Sequence, residues 1–461
     1  MKVTLIHPCI GRIPGKDYIK SWQMEALPPA QLAALTPSGI EVVFHDDRLE
    51  PIPFDDPTDL VALSVETYTA KRAYQIATEY RRRGIPVVMG GFHATLVPDE
   101  VQRYAEAIVL GEAEETWPRL LEDFRSGGLC RRYQAERRPA LGSVRPDRRI
   151  FAGKHYLDLR LLEASRGCRM SCDFCAIQTF FASTHRRREV ASIVEEIRSF
   201  GKNPPLLFFV DDNLVATPAW TKELCRAIEP LGVQWVGQAA ITMTRDEELL
   251  ELLHRSGCQG VLIGFESLDP RNLAAMGKTF AHTDDGLEAA LERLRRHHLR
   301  LYATFVFGYE HDTLESFERT VEFCRQQRIF MVAFNHLTPF PGTPLYKRLE
   351  AQGRLLFPRW WLDDAYRYGM APFSLSLPAE VVTERCVAAR KAFYSLASIA
   401  GRLLEPTNTG NRRMFQAYVF INLLLRKEAA QREGYPLGDL TFRGPLLEVG
   451  QRRPVQVALG A

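Results

Sequence analysis

The 461-residue sequence contains no long apolar run and almost no excess of charge. Its most apolar stretch near the C-terminus, residues 418–425, is interrupted by Asn422 and is far too short to cross a bilayer, which requires about 20 residues. A net charge of +3 neither indicates nor excludes an anionic partner, and no segment resembles a DNA-binding helix-turn-helix, so we expect no nucleic-acid partner. Residues 2–7 predict a strand instead of a signal peptide, so no targeting or transmembrane segment is expected.

A fourth ligand is missing from the most distinctive motif of the chain. Cys168, Cys172 and Cys175 have the spacing Cys-x3-Cys-x2-Cys, and the nearest further candidate, His185, lies ten residues beyond the last cysteine. A structural zinc site would need that fourth ligand. A disulfide framework is not expected either, because nine cysteines is an odd number in a chain too long to need stapling. Three thiolates on a four-iron cluster would instead leave one iron open to a small molecule.

The remaining cysteines are scattered through the sequence, and each is expected to be a small buried apolar residue. They are Cys9, Cys130, Cys225, Cys258, Cys324 and Cys386.

Residues 1–127 alternate predicted strands with predicted helices, which is typical of a Rossmann-like α/β domain with a parallel sheet. Strands are predicted at 2–7, 40–45, 60–65, 86–89 and 107–110, and helices at 28–35, 70–82, from Pro98 onward and at 114–124. Ligands bind such sheets at the carboxyl ends of the strands. The loops at 64–67, 90–95 and 111–114 are therefore candidate binding loops.

A linker is predicted at 128–155, where the arginine-rich part is expected to be solvated, and a catalytic domain at 156–345. Six strands are predicted in that domain, at 161–164, 206–210, 234–239, 260–265, 301–307 and 330–335. Six are fewer than the eight of a closed barrel. The segment from Pro339 to Tyr346 predicts a turn followed by a helix start.

A mostly helical C-terminal region is predicted at 346–461, with helices at 378–396 and 412–432 and an end of disordered composition. Its aromatic residues either line a substrate cavity or pack this region onto the barrel. The most prominent are Trp360, Trp361, Tyr366 and Tyr368.

Polar side chains follow two of the predicted barrel strands. Asp211, Asp212 and Asn213 follow one apolar run, and Glu266 and Ser267 follow another. Carboxylates in such places accept hydrogen bonds from ammonium groups and ribose hydroxyls. The alternative is that these residues cap the next helix, and we expect ligand binding above all for Asp211 and Glu266.

The cysteine motif, with Phe174 directly before its third cysteine, resembles that of the radical S-adenosylmethionine (SAM) superfamily. The resemblance implies a partial (β/α)6 barrel and a [4Fe-4S] cluster on Cys168, Cys172 and Cys175 that binds SAM and cleaves it to a 5′-deoxyadenosyl radical. It also implies that Phe174 flanks adenine, that Asp211–Asn213 meet the methionyl part of SAM, and that Glu266 and Ser267 meet its ribose. A reduced cluster implies a reductase or flavodoxin-type electron donor and a cytoplasmic location.

Residues 87–95 (Val-Val-Met-Gly-Gly-Phe-His-Ala-Thr) and 110–117 (Leu-Gly-Glu-Ala-Glu-Glu-Thr-Trp) are similar to the cobalamin-binding domain that precedes many radical SAM domains. The sequence contains no Asp-x-His-x-x-Gly motif, so His93 is expected to form hydrogen bonds and not to ligate cobalt. The resemblance implies cobalamin contacts from the strand-end loops. The candidates are Ser64, Glu66, Thr67, Gly90, Gly91, His93, Ala94, Thr95, Gly111 and Glu112.

Together these resemblances predict a cobalamin-dependent radical SAM methyltransferase that methylates an unactivated carbon of a small-molecule or lipid-like substrate. Relatives in the family act on hopanoids, tetrapyrroles and natural-product intermediates. Two alternatives remain open at this point. One is a radical SAM enzyme that performs ring formation or rearrangement, and the other is a non-enzymatic iron–sulfur or cobalamin sensor.

Overall fold

The computed structural model describes residues 1–281, 285–410 and 412–450. Its N-terminal part is a six-stranded parallel sheet in the order β2-β1-β3-β4-β5-β6. The strands are β1 (Lys2–His7), β2 (Glu41–Asp46), β3 (Leu60–Ser64), β4 (Val87–Gly90), β5 (Ala107–Leu110) and β6 (Arg132–Gln134). The central strands β3, β4 and β5 are runs of buried aliphatic residues, as a parallel sheet covered on both faces requires.

The second sheet has six parallel strands in the consecutive order β12-β11-β10-β9-β8-β7, which is the predicted open half-barrel. Its strands are β7 (Leu159–Leu162), β8 (Leu206–Phe209), β9 (Trp235–Ala239), β10 (Cys258–Glu266), β11 (Arg300–Phe307) and β12 (Met331–His336). Along β11, buried and half-buried residues alternate, because alternate side chains face the helices and the barrel interior.

Helices cover both sheets and form the C-terminal region. In the N-terminal part they are α1 (Leu27–Leu35), α2 (Ala70–Arg82), α3 (Phe92–Leu96), α4 (Pro98–Tyr104) and α5 (Thr116–Arg125). In the half-barrel they are α6 (Ala176–Phe181), α7 (Val190–Ser199), α8 (Pro218–Ile228), α9 (Glu247–Arg255), α10 (Pro270–Ala275), α11 (Leu287–Arg296), α12 (Leu314–Gln326) and α13 (Pro344–Ala351). The C-terminal region contains α14 (Ala379–Phe393), α15 (Leu396–Arg402), α16 (Pro406–Thr409) and α17 (Arg412–Gln431). Thr343 caps α13 as the turn signal predicted, since its Oγ1 accepts a hydrogen bond from the Tyr346 N–H.

The segment expected as a linker contributes to the fold. Strand β6 pairs with β5 and lies at the edge of the first sheet, and a 3-10 turn follows at Arg148–Phe151. The expectation of a solvated arginine run was also wrong in part, because Arg148 forms ion pairs with Glu25 and Glu196. The polar residues Arg132 and Gln134 flank the single buried residue of β6, Tyr133, so the apolar pattern of a strand is weak there.

The C-terminal region closes the open edge of the half-barrel. The Tyr394 hydroxyl, just beyond α14, accepts a hydrogen bond from the Val332 N–H at 3.2 Å and donates one to the Val332 carbonyl at 2.8 Å. Arg390 Nε donates to the Phe334 carbonyl at 2.8 Å. These contacts satisfy the backbone of edge strand β12 that would otherwise be unpaired.

Most of the prominent aromatic residues of the C-terminal region pack between the N-terminal domain and the segment that follows β12. Trp360, Trp361 and Tyr366 are fully buried in a core that also contains Val61, whereas Tyr368 lines a cavity. The six scattered cysteines were all expected to be buried. Five of them are buried, but Cys130 is exposed, so the expectation was wrong for that residue.

No helix in the described part of the chain is long and apolar enough to span a membrane. Part of the end predicted to be disordered, residues 451–461, lies outside the described residues.

Candidate active site

The three-cysteine loop follows β7 and lies between the two strands of a short antiparallel pair, Ser165–Gly167 and His185–Arg187. Gly167 adopts a φ of +85°, and a Cβ there would come within 2.1 Å of the Thr184 carbonyl oxygen, so only glycine fits. Cys172 is buried, whereas Cys168 and Cys175 are half-buried, and Cys175 directly precedes α6. The loop therefore presents its thiols at the carboxyl end of the half-barrel, where barrel enzymes carry their reactive groups.

The three thiols of the cysteine loop share one partly buried environment. The cysteines interact electrostatically with one another, and burial raises the pKa of Cys172 to about 12 against the opposing charge of Lys278. Among the described residues, no group of three His, Cys, Asp or Glu side chains is close enough to hold one metal ion.

The polar end of β8 supports the cysteine loop. Asp211 is buried and accepts hydrogen bonds from the Ala164 N–H at 3.1 Å and from the Ser165 hydroxyl. Asp212 accepts a hydrogen bond from the Gly167 N–H at 2.8 Å. Burial raises the pKa of Asp211 to about 7 and that of Asp212 to about 6. Both carboxylates therefore hold the backbone that leads into Cys168.

Asn213 reaches the first cysteine itself. Its Nδ2 lies 4.0 Å from Cys168 Sγ in donor geometry, and its Oδ1 accepts a hydrogen bond from the Ala240 N–H at 3.3 Å. Hydrogen bonds to cluster sulfurs influence reduction potential. The SAM contacts inferred for these three residues remain predictions.

Glu266 ends β10 in an unusual backbone conformation, with a φ of +63° next to a register shift between β10 and β11. Its carboxylate pairs with Lys278, whose ammonium group also donates to the Gly264 carbonyl at 2.8 Å. Sequence reasoning missed Lys278, because a lone lysine carries no motif. Ser267 Oγ accepts from the Asp269 N–H at 3.0 Å, while Asp269 itself caps α10, so Ser267 supports this turn without being the cap.

A second group that the sequence did not reveal anchors the middle of the cysteine loop. The Tyr309 hydroxyl donates to Asp173 Oδ2 at 2.7 Å, and Arg348 Nη1 donates to the same oxygen at 2.8 Å. Asp173 precedes Phe174 in the motif, and its partners come from the ends of β11 and from α13. This network ties the loop to two distant elements of the barrel domain.

A cavity of about 450 Å³ separates the first sheet from the half-barrel, and we call it the interdomain cavity. Six of the predicted cobalamin residues line it: Ser64, Glu66, Gly90, Gly91, Gly111 and Glu112. Ser165, Arg166 and Asp212 line it from the cysteine side. Gly91 has a φ of +99°, and a Cβ there would come within 2.8 Å of the Val65 carbonyl oxygen, so this close backbone approach requires glycine.

The other predicted cobalamin residues do not line this cavity. His93 is fully buried, with Nδ1 3.3 Å from Thr67 Oγ1 and Nε2 3.2 Å from Glu100 Oε1, so it forms hydrogen bonds as expected, although it lies on α3 and not in a loop. Ala94 is part of the apolar core. Thr95 Oγ1 accepts from the Gly111 N–H at 2.9 Å, which fixes the cavity loop from behind.

Glu112, which was predicted as a cobalamin contact, is held by several ion pairs within the protein. It forms ion pairs with Arg138, Arg166 and Arg186. Arg166 also contacts Glu114 and Glu163, both at 2.6 Å. This interdomain charge cluster joins the first sheet to the hairpin that leads into the cysteine loop.

A second cavity, of about 320 Å³, lies between the half-barrel and the C-terminal region, and we call it the tail cavity. Phe174 of the cysteine motif lines it, together with Tyr302 of β11, His336 of β12 and Tyr68 of the first domain. The C-terminal region contributes Tyr368, Arg390, Tyr394 and Arg432. The segment that contains the cysteine motif thus borders both cavities, the interdomain cavity through Ser165 and Arg166 and the tail cavity through Phe174.

Comparisons with known proteins agree with this geometry. Residues 162–324 match the radical SAM superfamily. The chain is similar to bacteriochlorophyllide d C-12(1)-methyltransferase of Chlorobaculum tepidum, with 31% identity over 383 residues that cover 81% of this chain and 83% of the relative. It is also similar to bacteriochlorophyllide d C-8(2)-methyltransferase of the same organism, with 28% identity over 71% of this chain and 77% of the relative.

Among solved structures, the fold is similar to that of the radical SAM methyltransferase TsrM from Kitasatospora setae with cobalamin and a [4Fe-4S] cluster bound. The TM-score is 0.66 at 18% identity, over 93% of this chain and 100% of that chain. The chain belongs to the radical SAM superfamily, whose enzymes cleave SAM at a [4Fe-4S] cluster. The predictions of the superfamily and of the two-part α/β fold are thereby confirmed.

Proposed function

We propose that this enzyme is a cobalamin-dependent methyltransferase that methylates a carbon of a tetrapyrrole. The observation that carries the proposal is the position of the segment from Ser165 to Phe174 between two cavities. Ser165 and Arg166 line the interdomain cavity, and Phe174 lines the tail cavity. Such a site has room for a second cofactor on one side and for a substrate on the other. The two bacteriochlorophyllide methyltransferases similar to this chain support a tetrapyrrole substrate.

The residues present fit the proposed groups. Cys168, Cys172 and Cys175 would hold the cluster, and Ser64, Gly90, Gly91 and Gly111 would provide the close backbone surface for cobalamin. When bound, the cluster supplies the electron that cleaves SAM, and cobalamin supplies the methyl group.

The chain's own contribution is positioning. Asp211 and Asp212 fix the loop backbone, Asn213 donates to a cysteine sulfur, and the Tyr309–Asp173–Arg348 network holds the loop from the opposite side. The C-terminal region covers the substrate side and restricts the access of water, which protects a reactive intermediate. The proposal includes a reductase or flavodoxin-type electron donor and a reducing compartment such as the cytoplasm.

The test is an anaerobic assay with the reconstituted protein, cobalamin, a reductant and SAM labelled in its methyl group. Bacteriochlorophyllide d is the first substrate offered. We expect a product that carries one labelled methyl group, together with 5′-deoxyadenosine. Formation of 5′-deoxyadenosine with a tetrapyrrole product that lacks the label would contradict methyl transfer and favour ring formation or rearrangement. A protein that retains no cobalamin after reconstitution would also contradict the proposal.

A further inference from the structure

The tail cavity combines aromatic walls with a few polar groups. Its aromatic lining comes from every part of the chain and includes Tyr68, Phe174, Tyr302, Phe340 and Tyr368. Such walls favour a flat, largely apolar ligand. The polar groups are therefore the features that distinguish one flat ligand from another.

His336, the last residue of β12, is the most informative of these groups. Its side chain is only 6% exposed, and its Nε2 lies 3.4 Å from Thr338 Oγ1, which in turn lies 3.1 Å from the Tyr68 hydroxyl. Its Nδ1 is buried, and within the described part of the chain it has no hydrogen-bond partner. A buried polar atom without a partner is costly in a folded protein, so a bound group that satisfies it would be stabilised.

The protonation state of His336 makes this nitrogen a Lewis base. Burial, with a further contribution from Arg390, lowers the pKa of His336 to about 3, so the imidazole is neutral. In the tautomer in which Nε2–H donates to Thr338, Nδ1 carries a free lone pair. Metal-binding histidines characteristically use one ring nitrogen as the ligand and donate a hydrogen bond from the other.

Arg390 provides a positive charge at the same cavity. Its Nε is used by the Phe334 carbonyl, but the guanidinium forms no ion pair with any of the described residues. Arg432, by contrast, is paired with Glu428 at 2.8 Å. The planar guanidinium group of Arg390 is therefore available to bind a carboxylate. Carboxylates and phosphates are the anions whose geometry matches a guanidinium group best.

We propose that the tail cavity binds a metallated tetrapyrrole, with His336 Nδ1 as the axial ligand of the central metal and Arg390 bound to a side-chain carboxylate of the ring. The inference rests on the proposed function and specifies its substrate. The four ring nitrogens of such a molecule occupy the plane around the metal, which leaves an axial position for a lone-pair donor. A lipid such as a hopanoid would leave both His336 Nδ1 and the Arg390 charge unsatisfied.

The test compares zinc pheophorbide a with metal-free pheophorbide a and with the methyl ester of the zinc compound, each titrated into the anaerobically reconstituted protein. Imidazole binds zinc well, and the zinc compound retains its metal during titration. We expect the zinc compound to bind at least about tenfold more tightly than the metal-free compound, with the absorption change of axial ligation. The methyl ester should bind about tenfold more weakly than the free acid.

Variants assign each preference to its residue. In His336→Phe the zinc and metal-free compounds should bind equally, and the absorption change should disappear. In Arg390→Gln the metal preference should persist, while the free acid and the ester bind equally. Two variants serve as matched controls and should keep both preferences. One is Arg385→Gln, whose arginine lies on the same helix and pairs with Glu318, and the other is His254→Phe on α9. His336→Gln is the second variant if His336→Phe does not fold.

Two results separate this inference from the proposed function. If the wild-type protein binds the zinc and metal-free compounds equally, but still transfers methyl groups to a tetrapyrrole, the metal-ligand assignment is overturned and the function stands. If neither compound binds and no tetrapyrrole is methylated, both are overturned. Cleavage of SAM in the absence of substrate, measured in each variant, shows that the cluster site is intact.

Discussion

At the scale of single residues, the carboxylates around the cysteine loop differ in role although the sequence presents them alike. Asp211 and Asp212 are adjacent, yet only Asp212 lines a cavity, while Asp211 is enclosed by Ala164 and Ser165. Motif resemblance could identify this strand end as functional. It could not separate a supporting carboxylate from a cavity-lining one, because that difference depends on how far the preceding strand β7 and its hairpin fold over it.

Asp211 predicts a specific pH dependence. Its pKa is raised from 3.8 to about 7, mainly by burial, so the folded state binds its proton more tightly than the unfolded state. Its contribution to stability is complete below pH 4 and is lost as the pH rises to about 7, a loss of about 4 kcal/mol. Asp211→Asn resembles the protonated form, so we expect a flatter dependence of the unfolding free energy on pH between 4 and 7. An unchanged slope in denaturant titrations at several pH values would contradict this role.

Tyr309 predicts a selective effect on cluster binding. Tyr309→Phe removes the hydroxyl that donates to Asp173 and accepts from Arg348, so the cysteine loop loses one of its anchors. We expect a stability loss of about 1–2 kcal/mol and a lower iron and sulfide content after reconstitution. Tyr435→Phe, whose hydroxyl contacts the Gly11 carbonyl far from the loop, should keep full iron content. Equal iron content in both variants would exclude an anchoring role.

At the scale of elements, the half-barrel depends on the C-terminal region to protect its edge strand. Tyr394→Phe would leave both the N–H and the carbonyl of Val332 buried without partners. We expect the free energy of unfolding to fall by about 2–4 kcal/mol. Tyr418→Phe, which removes only the hydrogen bond to the Ile399 carbonyl, is the control and should cost about 1–2 kcal/mol in the same denaturant titration. Equal losses would contradict the account of edge protection.

The sequence predicted the strands with strong apolar patterns and missed short strands without one, such as Ser165–Gly167 and His185–Arg187. Strands β1, β3 and β5 were located within about a residue, because buried parallel strands are continuous aliphatic runs. Strand β6 was assigned to a linker, since Arg132 and Gln134 flank its single buried Tyr133. The tail cavity was also beyond prediction, because Tyr68, Phe174 and His336 come from three separate parts of the chain.

At the scale of the whole molecule, the interdomain charge cluster links the first sheet to the cysteine loop. Arg166 contacts Glu112 and Glu114 from one domain and Glu163 from the other. Arg166→Met would leave Glu114 and Glu163 without this cation, whereas Glu112 would keep Arg138 and Arg186. We expect a loss of about 3–5 kcal/mol in unfolding free energy and weaker cobalamin retention. Arg149→Met, which removes an exposed pair with Asp147, is the matched control and should change neither quantity. Unaltered cobalamin retention in Arg166→Met would show that the cluster does not shape that cavity.

The central claim is that Cys168, Cys172 and Cys175 hold the cluster at which SAM is cleaved. The most direct measurement is the amount of 5′-deoxyadenosine formed from SAM under anaerobic, reducing conditions by the reconstituted wild-type protein and by the triple Cys→Ala variant. We predict formation by the wild type and none above background by the variant, while the variant keeps its fold by circular dichroism. Formation of 5′-deoxyadenosine at the wild-type rate by the folded triple variant would contradict the account.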